Sequence, residues 1–188
     1  MLIRILMKVF ISLLLILNST LLVGQSDSIL FWNKDYSLTV NDFEGEINDS
    51  IMTKQFSITP SAVSYIGIST EYKYHDGKLN VIIKTYFNRN KSFCRDSLIQ
   101  SILEHEQCHF NISELYARKM RREILKLQIK SIYSNQKFDE VIDSLNIECV
   151  KYNDLFDYET FYGGIESEQK KWIENVNKEL DKLNEYEN

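Results

Sequence analysis

The stretch SILEHEQCHFNISELYARKMRREI, residues 101–124, decides how this chain is read. Its apolar residues, Ile102, Leu103, Phe110, Ile112, Leu115, Met120 and Ile124, recur largely at three- and four-residue steps. Extended back to Leu98 and Ile99 and forward to Leu127, the pattern runs without Gly or Pro to about Ile132. That predicts one long helix, with Asp96 as its N-cap. Inside it, HEQCH (105–109) places two of the chain's three histidines one turn apart on one face. A carboxylate, Glu106, stands beside the first of them.

Upstream of this helix the period is that of strands. SAVSYIGISTEYKYHDGKLNVIIKTYF (61–87) is rich in Val, Ile, Thr, Tyr and Phe on both sides of His75-Asp76-Gly77-Lys78. It predicts a hairpin turning at Asp-Gly. FWNKDYSLTVNDFEG (31–45) offers Trp32, Leu38, Val40 and Phe43 to the core. Downstream, a second helix is predicted from Phe138 to about Tyr152. NDLFDYETFYGGIE (153–166) reads as a looser stretch, and a last helix runs through Gln169, Trp172, Ile173, Val176, Leu180 and Leu183. Strands followed by helices indicate an α+β fold: an N-terminal antiparallel sheet packed on a long helix, with further C-terminal helices.

At 188 residues the chain suits a single domain. MLIRILMK followed by VFISLLLILNSTLLVG has the form of a secretory signal. Residues 1–24 are expected to be removed, leaving 25–188 as the domain, exported to the periplasm or secreted, with no membrane span after cleavage. The remainder carries 20 basic against 27 acidic residues, a net charge of −7. With no basic run, that argues against a nucleic-acid partner. In an oxidising compartment Cys94 and Cys149 are the expected disulfide pair, with Cys108 a small buried residue of the motif helix.

The H-E-x-x-H spacing carries the chemistry. On a helix, His105 and His109 can each give one imidazole nitrogen to a zinc ion. Glu106, about 100° round from His105, reaches a metal-bound water as general base without ligating the metal. Glu114 is about 140° round from His109 and cannot share their ion. It suits an i,i+4 pair with Arg118 or a place in the second shell of the site.

LEHEQCHFNISELYARKMRREI (103–124) resembles the signature of a secreted bacterial family, domain of unknown function 922, described as zinc-protease-like. His105, Glu106, Gln107, His109, Phe110, Ile112, Glu114, Ala117 and Arg118 fit its pattern L-x-H-E-Q-x-H-F-(D/N)-I-x-E with a following Ala-Arg pair. KSFCRDSL (91–98) resembles a further segment, with Phe93 in the place of a tryptophan. The resemblance covers most of the chain after residue 30 and implies a zincin-like peptidase acting on a peptide or protein substrate.

A catalytic zinc site needs three protein ligands and one open position. The family's C-terminal segment, similar to Y-D-x-E-T-x-H-G, implies a histidine where this chain has Tyr162. Asp157, Glu159 and Tyr162 are the candidates for the third ligand, and His75 of the hairpin turn is a remote one. The reading is therefore a zinc metallopeptidase, with two rivals. One is an inactive zincin-like protein that binds metal or envelope partners; the other is an envelope module without metal.

Overall fold

The computed structural model describes residues 28–46, 61–95 and 100–188. The expected signal segment and the expected cap Asp96 lie outside these residues. The fold is α+β; among the described residues it has a small antiparallel sheet and three α-helices. Strands β1 (Ile29–Phe31), β3 (Ile66–His75) and β4 (Lys78–Asn88) form a sheet in the order β1-β4-β3, while β2 (Ala62–Val63) pairs with β5 (Phe93–Cys94). The helices are α1 (Gln100–Ile129), α2 (Asn135–Thr160) and α3 (Glu166–Asp181). Among the described residues, no helix is long and apolar enough to cross a membrane.

The hairpin turns where its residues require it. Asp76 and Gly77 both take positive φ, 50° and 73°, and His75 pairs with Lys78. Such a two-residue turn matches the twist of the strands it joins. Along β4 the side chains alternate: Leu79, Ile83, Thr85 and Phe87 are buried, while Lys78, Asn80 and Lys84 are exposed. The buried row faces α1.

The 30-residue α1 is the common wall of the molecule. Phe110 packs with Leu38 and Phe87. Ala117, Met120 and Ile124 meet Leu79 and Ile83 of the sheet and Phe138 and Ile142 of α2. Ile112, Leu115 and Tyr116 join Cys149, Phe156, Trp172, Val176 and Leu180 from α2 and α3. Glu114 and Arg118 are buried at its middle and paired at 3.1 Å. Glu114 also binds Arg121 at 3.0 Å and accepts the Thr85 hydroxyl at 2.8 Å.

Two sequence expectations are corrected here. The segment after Tyr152 is not loose, because α2 continues to Thr160 and stops only when Phe161, Tyr162 and Gly163 all take positive φ. Asp154, Tyr158 and Glu159 are exposed while Cys149, Phe156 and Thr160 stay buried at helical spacing, so packing on α1 outweighs the weak helix propensity of Asn and Asp. Cys94 and Cys149 are also not joined in a disulfide. Cys94 sits on β5 opposite Ala62, whereas Cys149 is buried in the helical core with Cys108.

Candidate metal centre

α1 presents His105 and His109 toward α2, and the continued α2 presents Asp157 back to them. Asp157 Oδ1 lies 3.0 Å from His105 Nε2 and 3.0 Å from His109 Nε2. The two Nε2 atoms are 3.2 Å apart. Phe156 walls the cluster: its ring stacks on His105 at 4.5 Å and meets His109 edge-on at 4.9 Å. Trp172 of α3 packs behind Phe156 at 5.4 Å.

Two amides determine which nitrogen of each ring carries the proton. Gln169 Nε2 donates to the Ser101 carbonyl at 2.9 Å, which turns Oε1 to His105 Nδ1 at 3.2 Å. Asn153 Nδ2 donates to the Cys149 carbonyl at 2.9 Å, which turns Oδ1 to His109 Nδ1 at 2.7 Å. A backbone carbonyl only accepts, so neither amide can be reversed, and each amide oxygen in turn needs an N–H. Each imidazole therefore donates from Nδ1, and Nε2 is the atom that it turns to Asp157 and to the other ring. The two Nε2 atoms and a carboxylate oxygen converge on one point, an arrangement that could hold a metal ion.

The donor set suits zinc. Histidine nitrogen and aspartate oxygen are both common ligands, and three atoms held about 2.0–2.2 Å from a tetrahedral ion stand roughly 3.3–3.6 Å apart. The observed edges of 3.0–3.2 Å need to open by only a few tenths of an ångström. Without such an ion a proton serves instead. Burial alone lowers the affinity of His109 for a proton. The Asp157 hydrogen bond, the charges of Glu106 and Asp157 and the Asn153 contact together outweigh that and raise it. Burial likewise pushes the Asp157 carboxyl up, but both histidines hold it well below the usual carboxylate range.

The remaining candidates separate cleanly. Glu106 is buried and close enough for its charge to act on His109. Glu159 lies about 200° round α2 from Asp157 and accepts the Trp172 indole N–H at 2.8 Å. The Tyr162 ring is exposed. His75 is at the exposed tip of the hairpin, beside Asp76. Glu114 spends its carboxylate on Thr85, Arg118 and Arg121, so it is a partner of buried arginines rather than a second-shell residue of the histidine cluster. Of the three alternatives for a third ligand, the fold brings Asp157 alone to the histidines.

Sequence reading missed Asn153, Phe156 and Gly163 as parts of the site. The signal for the first two was present: Phe156 and Asp157 stand three and four residues after Asn153 and share a face with it once α2 is allowed to continue. Gly163 has φ 82°, and a Cβ there would stand 3.2 Å from Gln169 Oε1 and 3.3 Å from His105 Nδ1. A side chain there would strain the backbone and press on both atoms. Comparison with known proteins adds nothing to this geometry, since no known family, no curated protein and no solved structure matches the chain.

Proposed function

We propose that this chain is an exported, zincin-like, zinc-dependent hydrolase of peptide bonds, with His105, His109 and Asp157 as metal ligands and Glu106 as general base. One observation carries the reading: His105 Nε2, His109 Nε2 and Asp157 Oδ1 converge within 3.0–3.2 Å, with Nδ1 of each ring held by an amide oxygen. The H-E-x-x-H spacing agrees with it.

When bound, zinc supplies a water of lowered pKa and polarises a substrate carbonyl. Asp157 would join His105 and His109 in holding the ion, its carboxylate offsetting part of the ion's charge. Asn153 and Gln169 hold the rings so that ligand geometry is formed before the ion arrives. Glu106, one residue from His105 and not a ligand, takes the proton of the attacking water. It returns that proton to the leaving amine as the C–N bond breaks. Phe156 and Trp172 keep one side of the site apolar and dry.

The test is zinc content by elemental mass spectrometry on untagged protein, followed by a peptide-library assay. Wild type is expected to hold about one zinc per chain and to cleave peptides. His109→Ala should lose the metal, and Glu106→Gln should keep it while losing cleavage. A chain that stays metal-free after zinc incubation refutes the reading. Zinc retained with no cleavage of any library peptide leaves a metal-binding scaffold instead.

A further inference from the structure

Helix α2 turns Cys149, Phe156 and Thr160 into the core, yet its opposite face is not a polar one. Ile147, Val150, Leu155 and Tyr158 fall within about 140° of one another round the helix, and Phe161 and Tyr162 extend the patch past its end. These six residues are 43–80% exposed. Together they show solvent roughly 800 Å², more than the roughly 300–600 Å² of the largest apolar patch on a typical monomer and about what each partner of a stable interface buries. Two charges stand in the middle of the stripe. Ile147, Lys151, Asp154 and Tyr158 are spaced by four, three and four residues, the a/d spacing of a seam between two helices. Lys151 and Asp154 are both exposed, and neither forms an ion pair among the described residues.

We propose that this face joins two copies of the chain, α2 packing antiparallel on the partner's α2 about a two-fold axis. The stripe is self-complementary in that arrangement. With the axis level with the Tyr152–Asn153 peptide, Ile147 meets the partner's Tyr158 and Lys151 meets the partner's Asp154. The axis repeats each contact, so each pair forms twice. Val150 and Leu155 close the two flanks of the seam. One register thus sets apolar against apolar and each charge against its opposite, whereas parallel packing in register would set Lys151 on Lys151 and Asp154 on Asp154. Polar residues within an apolar seam fix register and orientation in this way. A lipid surface is a poorer occupant. It would take Asp154 into an apolar layer without a partner, and the excess of 27 acidic over 22 basic residues opposes anionic headgroups. A second copy supplies both charges with their opposites.

Sedimentation equilibrium of the untagged protein measures the association, with circular dichroism to confirm that each variant folds. Wild type is expected to dimerise at micromolar concentration, and His109→Ala should do the same, which separates this face from the proposed metal site. Lys151→Asp and Asp154→Lys each set like charges together twice across the axis, and each should weaken the dimer by about tenfold or more. The double exchange, Lys151→Asp with Asp154→Lys, puts opposite charges back across the axis and should dimerise within about threefold of wild type. Tyr158→Glu should be monomeric. The proposal is overturned if wild type stays monomeric at about 100 μM, or if the double exchange fails to restore what the single variants lose. It is also overturned if a monomeric chain binds phosphatidylcholine vesicles and Tyr158→Glu abolishes that binding.

Discussion

Replacing Asn153 by alanine isolates the part of the proposed metal site that is not a ligand. Asn153 touches no metal position; it accepts the Nδ1–H of His109 at 2.7 Å and is itself anchored on the Cys149 carbonyl at 2.9 Å. Its removal frees the His109 ring to take either tautomer and to rotate. Loss of such an outer partner costs about 10–100-fold in metal affinity, equal to roughly 1.4–2.8 kcal/mol. The short 2.7 Å contact places Asn153→Ala in the upper half of that range, and the 3.2 Å contact of Gln169 with His105 places Gln169→Ala in the lower half. The fold should survive, because the Cys149 carbonyl lies inside α2, where the helix already gives it a partner. Asn153→Asp restores an acceptor, now charged, and should return the affinity to wild type or better. The assay is competition for zinc against a chromophoric chelator, with circular dichroism to confirm folding. Zinc bound by folded Asn153→Ala within twofold of wild type would refute the argument that the amides pre-set the rings.

The metal-free chain should show a stability maximum that zinc broadens. His109 is raised above its ordinary 6.5, so its contribution is full below that pH and is lost as pH rises through the folded value. Asp157 is lowered from 3.8, so its contribution is full above that pH and is lost as pH falls through the folded value. Zinc requires both rings neutral, so thermal unfolding from acid to alkaline pH should show the loss on the alkaline side only without metal. Glu114→Ala takes from buried Arg118 one of its two carboxylate partners and from Arg121 the carboxylate beside it, and should cost about 1–3 kcal/mol in urea unfolding; a cost under about 0.5 kcal/mol would show that Glu187 and the backbone carbonyls suffice. Burial raises the Cys108 thiol to about 12, so a thiol reagent should label it only after denaturation, as peptide mapping would show.

What could be read in the sequence depended on how local its cause was. The α1 histidines and Glu106 followed from helical spacing within five residues, and the hairpin from Asp76-Gly77. The third member of the cluster could not be chosen. Asp157 and Glu159 are equivalent as ligand types, and only the continuation of α2 to Thr160, which tertiary packing imposes, turns one inward and the other to Trp172. The tautomers depend on Asn153 and Gln169, 44 and 64 residues from the rings they hold, and no local pattern announces them. The disulfide expectation failed for the same reason: oxidising conditions permit a bond, but the fold sends Cys94 to a strand edge and Cys149 into the helical core.

The sheet, α2, α3 and the C-terminal turn all dock on α1, each chiefly through that helix rather than through the others. No cooperative unit of the molecule can therefore open fully while leaving α1 without an exposed flank, and none of the three apolar clusters persists once α1 is lost. Amide hydrogens near Ile112 and Ala117 should then exchange only through global unfolding, whereas those at the end of α2, next to the left-handed Phe161 and Tyr162, have a local route. The exchange rates of that one helix would measure the stability of the whole domain, and the end of α2 would show how far its histidine-facing edge can loosen on its own.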